Sequence, residues 1–230
     1  MDAATPPSVD RVGRHYQGEL GEEYFGWQRE GAQLGAQLEH FKFAPHVQPN
    51  DALVEFGCGT GYLLELLAAR EKVGIEVNAV ARADAASRGL RVVERADELP
   101  PASADVVISN HALEHTLAPL HELRDLRELL KPGGRLVLWL PLDDWRTERG
   151  VDLTDANHHL YTWTPKLLGN LLDEAGFEVL ECRVVAYAWP QFHEHLYRLL
   201  PRRAFDVVAT VWARIFKRRQ VMAVARRPAA

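Results

Sequence analysis

The chain has 230 residues, of which 47% are hydrophobic and 26% charged, with 16 Gly and 13 Pro. This composition is typical of one soluble globular domain and excludes a collagen-like or intrinsically disordered chain. The net charge of −5 hides a basic segment at residues 198–227, which has nine Lys or Arg and a single acid. That segment lacks the interleaved aromatic residues typical of nucleic-acid-binding sheets, so we expect no nucleic-acid partner.

Short apolar runs alternate with amphipathic segments between residues 51 and 187, the pattern of a parallel sheet with helices on both faces. We predict a doubly wound α/β fold in one domain, with residues 1–50 before the core (51–187) and a helical insertion at 190–219. The predicted strands are 52–56, 72–76, 90–93, 105–109, 135–140, 177–187 and 220–225.

The N-terminal segment carries the aromatic residues Tyr16, Tyr24, Phe25 and Trp27. These residues indicate one of two arrangements. They form a lid that closes over a ligand, or they pack an N-terminal helix against the core.

Residues that favour helix ends mark several boundaries. Asn78 and Thr164 are expected to cap two helices, and Gly176 to end the second of these in a left-handed turn. Residues 131–134, with the sequence KPGG, predict a stop before the fifth strand. Leucines at helical spacing, which are expected to pack on the sheet, are Leu63, Leu66 and Leu67 in one helix and Leu120, Leu123, Leu126 and Leu130 in another.

Two stretches depart from regular alternation. Residues 141–163 exceed the usual connection of about 4 to 6 residues, and loops of that length often cover a site. Residues 190–219 predict a helix whose apolar stripe is Phe205, Val208, Trp212, Ile215 and Phe216. With its cations, this helix either packs on its own domain or makes weak contact with an anionic membrane through residues 198–219.

The strongest functional signal is a glycine-rich turn after the first strand. Residues 53–62 read LVEFGCGTGY, in which Glu55 precedes Gly57, Gly59 and Gly61. Glycine allows a sharp turn and a close approach to a ligand at the crevice where doubly wound sheets bind nucleotides. The third glycine comes one residue too early for a dinucleotide-binding turn. The preceding acid repels phosphate and favours a cationic amino acid moiety.

Two further acids follow the next two predicted strands. Glu76 lies about 20 residues after the turn, where a carboxylate accepts hydrogen bonds from both ribose hydroxyls. Asp97 follows the third strand, where it is placed to accept a hydrogen bond from the exocyclic amine of adenine. Together the two acids favour an adenosine ligand, although Glu76 as a solvated strand end and Asp97 as a helix cap are the structural alternatives.

Five ordered motifs resemble those of class I S-adenosylmethionine-dependent methyltransferases, the type 11 and ubiquinone-methyltransferase-like group. They are EFGCGTG (55–61), GIE (74–76), ADELP (96–100), DVVISNHALEH (105–115) and LKPGG (130–134). The resemblance covers residues 50–180 and implies a Rossmann-like sheet of seven strands with the last antiparallel. It also implies S-adenosylmethionine as the cofactor.

The same resemblance implies which residues hold the cofactor. Glu55 and the glycine turn would face the methionine part, Glu76 the ribose and Asp97 the adenine. Asn110 and His111 would lie under the sulfonium. The full predicted cofactor set is Glu55, Gly57, Cys58, Gly59, Gly61, Glu76, Val77, Asp97, Glu98, Asn110 and His111. A structural alternative remains for His111 and His115, which flank a helix start and are suited to a polar surface.

Methyl transfer depends mainly on positioning and exclusion of water. A base helps when the acceptor is a hydroxyl. Candidates in the long loop are Asp144, Asn157, His158, His159 and Tyr161, and we favour His158 or His159. The predicted partner is a small-molecule acceptor, such as a sugar, a lipid-linked intermediate or a secondary metabolite, methylated on oxygen.

Cysteine usage and hydropathy bear on metal sites and location. Cys58 and Cys182 lie far apart and provide neither a disulfide framework nor a zinc-ligand pair, so no metal site is expected. No basic segment followed by an apolar run begins the chain, and no apolar stretch approaches the length of a membrane span. These features predict a cytoplasmic protein.

Two rival functions remain open at this point. A nicotinamide-dependent oxidoreductase is disfavoured by the glycine spacing and by the acid that precedes it. A module that binds S-adenosylmethionine or docks on membranes without turnover is disfavoured by the presence of all five motifs.

Overall fold

The computed structural model describes residues 11–143 and 150–229. Its strands are β1 (Ala52–Phe56), β2 (Glu71–Ile75), β3 (Arg91–Val93), β4 (Ala104–Asn110), β5 (Leu130–Leu142), β6 (Glu178–Val185) and β7 (Arg219–Arg226). They form one sheet in the order β3-β2-β1-β4-β5-β7-β6. Strand β7 is antiparallel to both neighbours, whereas the pairs from β3 to β5 are parallel. The predicted Rossmann-like fold is confirmed.

The helices pack on both faces of this sheet. They are α1 (Gly18–Arg29), α2 (Ala32–Glu39), α3 (Tyr62–Leu66), α4 (Ala79–Ser87), α5 (Pro119–Leu129), α6 (Pro165–Glu174), α7 (His193–Leu199) and α8 (Arg202–Ile215). Because side chains alternate between the two faces of a strand, Val54 and Val107 enter a cluster with leucines of α5 and α6. Leu53 and Val106 enter a second cluster with residues of α2 and α3.

The predicted helix ends agree with the structure. The Asn78 side chain accepts hydrogen bonds from the backbone amides of Val80 and Ala81 at the start of α4. Thr164 accepts one from the amide of Leu167 at the start of α6. Gly176 adopts a φ of +85° just after that helix. These residues set the starts of α4 and α6 and the end of α6.

Two local predictions were wrong. Strand β5 begins at Leu130 rather than at residue 135, and residues 131–134 lie inside it as an irregularity, where the pairing with β4 shifts register. The amide of Gly133 donates to the carbonyl of Arg227 there. Helix α3 is only five residues long, so Leu66 is 44% exposed while Leu67, beyond the helix end, turns into the core.

The apolar stripe predicted for residues 190–219 is also partly wrong. The face of α8 that packs inward is formed by Phe205, Ala209 and Ala213, because the small alanines allow close approach. Ile215 and Phe216, which were predicted on the same apolar stripe as Phe205, are 67% and 52% exposed. Within the described residues, none of the helices combines the length and hydropathy of a membrane-spanning segment.

Candidate active site

The glycine turn lies at the carboxyl end of β1 and is closed by backbone hydrogen bonds. The amides of Gly57 and Cys58 both donate to the carbonyl of Ile75, at 2.8 and 3.1 Å. Gly57 has a φ of +71°, and a Cβ added there would lie 2.3 Å from the Cβ of Ala112. Both the left-handed backbone and this close approach require glycine at the position.

A cavity of about 100 Å³ opens beside this turn, at the carboxyl ends of β1, β2 and β4. This is where doubly wound sheets bind nucleotide ligands. Among the predicted cofactor residues, those that line it are Gly57, Glu76, Val77, Asp97 and His111. The remaining predicted cofactor residues do not line this cavity; they are Glu55, Cys58, Gly59, Gly61, Glu98 and Asn110.

Glu76 is held by two backbone amides and faces the cavity. Its Oε2 accepts from the amide of Gly59 at 2.8 Å, and its Oε1 from the amide of Asn78 at 2.8 Å. Burial raises the pKa of Glu76, while these hydrogen bonds act in the opposite direction. A fixed carboxylate with spare lone pairs suits the paired hydroxyls of a ribose.

Glu55 lies behind the turn rather than on the cavity wall. It is 3% exposed, and its Oε2 has no hydrogen-bond partner. Burial, and secondarily the nearby Glu76, raise the pKa of Glu55 to about 8. Because Glu55 does not line the cavity, its contact with the amino group of the methionine part stays a prediction.

The two acids after β3 have different surroundings. The Asp97 carboxylate pairs with Arg95 at 3.1 Å on the cavity wall. The Glu98 carboxylate accepts from the backbone amides of Glu94 and Arg95, at 2.9 and 2.8 Å. Glu98 therefore caps a short turn of 3-10 helix, and its contact with the cofactor stays a prediction.

The N-terminal aromatic residues divide between the two arrangements expected of them. Tyr16 and Tyr24 line the cavity together with Gln28, as a lid would. Phe25 is buried, whereas Trp27 is 54% exposed. The segment is held in place because the Asn78 side chain donates to the carbonyl of Gly21 at 2.7 Å.

A second cavity of about 360 Å³ adjoins the first, and His111 lines both. Its wall includes Tyr187 and Gln220, and its rim has the consecutive cations Lys217, Arg218 and Arg219. No sequence pattern predicted this wall, because β7 and the turn before it are remote in sequence from the glycine motif.

A buried polar network supports the floor between the cavities. The Gln220 Oε1 lies 3.1 Å from the His111 Nε2 and accepts a hydrogen bond from the Lys42 Nζ at 2.7 Å. The Lys42 Nζ also donates to the Asn110 Oδ1 at 3.2 Å and pairs with Glu39. Asn110 therefore belongs to the polar network beneath His111 and does not line either cavity.

The long loop folds back over the site as expected. The amide of Leu160 donates to the carbonyl of Glu114 at 3.0 Å, and the Tyr16 hydroxyl donates to the carbonyl of Asn157 at 3.1 Å. The Tyr161 hydroxyl donates to the carbonyl of Leu117 at 3.4 Å. These contacts bring the loop next to the cofactor cavity. Asp144, the remaining loop candidate, lies outside the described residues.

The two candidate histidines of this loop have different neighbours. His158 stacks on His15, with ring centroids 4.6 Å apart. The His159 ring lies 5.0 Å from the ring of His115, which lines the cofactor cavity. Burial lowers the pKa of His115 to about 4. The structure therefore brings the His159 ring to His115, whereas the His158 ring stacks on His15, which packs edge-on against Tyr16 and Tyr24 of the cavity wall.

Comparison with known proteins identifies the family. A family model described as "Methyltransferase domain" matches residues 27–182. A probable S-adenosylmethionine-dependent methyltransferase of Mycolicibacterium smegmatis is 28% identical over 77% of this chain and 69% of its own length. A ubiquinone biosynthesis O-methyltransferase of Cereibacter sphaeroides is 35% identical over 46% of this chain and 47% of its own length.

Solved structures agree on the fold. A methyltransferase from Archaeoglobus fulgidus superposes with a TM-score of 0.63 at 16% identity, covering 88% of this chain and 99% of that one. The family match argues against both rival functions, the nicotinamide-dependent oxidoreductase and the module that binds S-adenosylmethionine without turnover. The chain belongs to the S-adenosylmethionine-dependent methyltransferases.

Proposed function

We propose that the enzyme transfers the methyl group to a hydroxyl oxygen of a small anionic molecule. The second cavity carries this proposal, because it adjoins the cofactor cavity at His111 and its 360 Å³ volume lies within the range of about 300–1,000 Å³ for small-ligand pockets. Its rim cations, Lys217, Arg218 and Arg219, favour an acceptor with a carboxylate or phosphate group.

The chain's own residues bind, orient and exclude water. Glu76 would hold the ribose, and Tyr16 and Tyr24 would shield the reacting atoms from solvent. S-adenosylmethionine supplies an activated methyl group: the oxygen–carbon bond forms as the sulfur–carbon bond breaks, the electron pair of the broken bond stays on sulfur, and the hydroxyl proton is released to solvent. His111, at the junction of the cavities, is placed to orient the acceptor.

Release of S-adenosylhomocysteine with matched acceptors tests the proposal. We expect turnover with a hydroxy acid and much less with its methyl ester, because the ester lacks the charge that the rim cations attract. An analogue with an amine in place of the hydroxyl is expected to be inert. Turnover with the amine alone, or with RNA alone, would show that the acceptor class is different.

Replacing His159 with Ala is expected to lower kcat by about 10²-fold, the low end for a positioned catalytic group, with the affinity for S-adenosylmethionine unchanged. The His159 ring lies beside that of His115, which lines the cavity, whereas His158 stacks on His15, which does not line it. Steady-state kinetics and calorimetry on both alanine variants check this. If the His158 variant loses the rate and the His159 variant keeps it, the assignment is reversed.

We also propose that the outer face of α8 makes weak contact with an anionic membrane. Val207, Val211 and Ile215 are 63%, 49% and 67% exposed and lie four residues apart on that face. Arg203 and Arg214 are exposed alongside them. Apolar residues flanked by cations fit a lipid surface, where each cation contributes about 1 kcal/mol.

Changing Arg203 and Arg214 together to Gln is expected to abolish sedimentation with phosphatidylserine vesicles at low salt. These two residues do not line the acceptor cavity, so turnover on a water-soluble acceptor is expected to stay unchanged. A matched control is Arg124→Gln on the exposed part of α5. Absence of the unmodified protein from the vesicle pellet would rule out membrane contact.

A further inference from the structure

We infer that Glu114, His115 and His159 hold a divalent metal ion at the wall of the cofactor cavity, which His115 lines. Each of them offers one ligand atom, and these three atoms lie within 4.8 Å of one another. Glu114 and His115 sit on one turn of 3-10 helix, Leu113–His115, and His159 is brought to them by the loop that folds back over the site. The role of the metal in methyl transfer rests on the proposed function, whereas the arrangement of its three ligands does not.

Glu114 provides the first independent indication. It is 0% exposed, and neither of its carboxylate oxygens has a hydrogen-bond partner. The nearest side-chain nitrogens are the His111 Nδ1 at 3.4 Å and the His115 Nε2 at 3.9 Å from its Oε1. A buried carboxylate without partners is costly unless a positive charge meets it. A metal ion supplies that charge.

The hydrogen bonds of the two histidines provide the second indication. The His115 Nδ1 lies 2.5 Å from the Tyr16 hydroxyl, which also lies 3.1 Å from the carbonyl of Asn157. The His159 Nδ1 lies 3.3 Å from the Asp143 Oδ2 and donates to it. In the tautomers that donate from Nδ1 to these oxygens, each ring keeps a lone pair on Nε2 for a metal ion.

An imidazole held at one nitrogen by an oxygen acceptor, with a lone pair on the other, is the usual arrangement of a metal-binding histidine. Two imidazoles and one carboxylate suit Zn²⁺ and neighbouring first-row ions better than Mg²⁺ or Ca²⁺, which prefer oxygen ligands. The three ligands leave coordination positions open, as catalytic sites do.

The location gives the metal a chemical role. His115 lines the cofactor cavity, and His111, beside Glu114, lines both cavities. A metal ion bound there lowers the pKa of a coordinated hydroxyl, so that its proton leaves to solvent and its oxygen attacks the methyl carbon. The acceptor class narrows to molecules with a second oxygen donor next to the hydroxyl, such as catechols or α-hydroxy acids.

Titration of the chelator-treated protein with Zn²⁺ tests this inference without substrate. We expect calorimetry to give one Zn²⁺ per chain, and Co²⁺ in its place to give visible absorption bands of nitrogen-ligated metal. Glu114→Gln and His159→Ala are expected to weaken Zn²⁺ binding by at least about 100-fold. Asp143→Asn, which acts through His159, is expected to weaken it by about 10- to 100-fold.

Two controls separate metal loss from misfolding. His121→Ala removes an exposed histidine of α5 and is expected to leave Zn²⁺ binding unchanged. Affinity for S-adenosylmethionine is expected to persist in Asp143→Asn, which shows that this variant is folded. Failure of the unmodified protein to bind Zn²⁺, or equal binding by the ligand variants, overturns the metal site.

The outcomes also separate this inference from the proposed function. If Zn²⁺ does not bind but a hydroxy acid is methylated, the function stands and the metal site is wrong. If Zn²⁺ binds as expected while only amines are methylated, the metal site stands and the hydroxyl acceptor is wrong.

Discussion

Replacing Glu76 with Ala is expected to raise the dissociation constant for S-adenosylmethionine by about 10²- to 10⁴-fold. The carboxylate lines the cofactor cavity and is aimed by the amides of Gly59 and Asn78. The change removes two charge-assisted hydrogen bonds to the ribose, each worth about 1.5–3 kcal/mol. Isothermal titration calorimetry measures the loss.

A matched control is Glu71→Ala, which removes an exposed acid at the opposite end of β2. Its affinity for S-adenosylmethionine is expected to equal that of the unmodified protein. Thermal unfolding of both variants checks that the sheet is intact. Equal affinities for the two variants would refute the ribose assignment of Glu76.

Replacing Gly57 with Val is expected to destabilise the fold and abolish cofactor binding. The new Cβ would lie 2.3 Å from the Cβ of Ala112, and a β-branched residue would have to adopt a φ of +71°. Left-handed backbone costs about 1–2 kcal/mol and overpacking about 1–3 kcal/mol. The sum corresponds to a fall in Tm of about 5–20 °C.

Gly89→Val isolates the contribution of the clash. Gly89 also has a positive φ, of +86°, but an added Cβ there would meet nothing within 4 Å. We expect Gly89→Val to lower Tm only by the amount that corresponds to the left-handed backbone, without the overpacking cost. Its affinity for S-adenosylmethionine is expected to stay unchanged. If Gly57→Val behaves like Gly89→Val, close packing of the turn on Ala112 is not important.

Sequence patterns were sufficient to predict the fold, because local residue preferences mark where the strands and helices begin and end. Apolar runs and the caps at Asn78 and Thr164 placed the elements. The predicted element boundaries were wrong where tertiary contacts determine them. Residues 131–134 stay in β5 because the amide of Gly133 donates a hydrogen bond to the carbonyl of Arg227. The packed face of α8 was misplaced because apolar residues occur on both of its sides.

The site was predictable only where its residues belong to one contiguous motif. The glycine turn and Glu76 were found because strand ends in sequence become neighbours at one sheet edge. Lys42 and Gln220 could not be found, since their contact joins an N-terminal segment to β7. The approach of His159 to His115 depends on the path of the long loop, which no periodicity specifies.

The most direct test of the account is to follow a labelled methyl group. The protein is incubated with S-adenosylmethionine carrying a ¹³C-labelled methyl group and with paired hydroxy-acid and amino-acid acceptors, and the products are examined by NMR. We predict a labelled methoxy group on the hydroxy acid and stoichiometric S-adenosylhomocysteine. Label on nitrogen, or cofactor binding without any transfer to a small molecule, would contradict the proposed function.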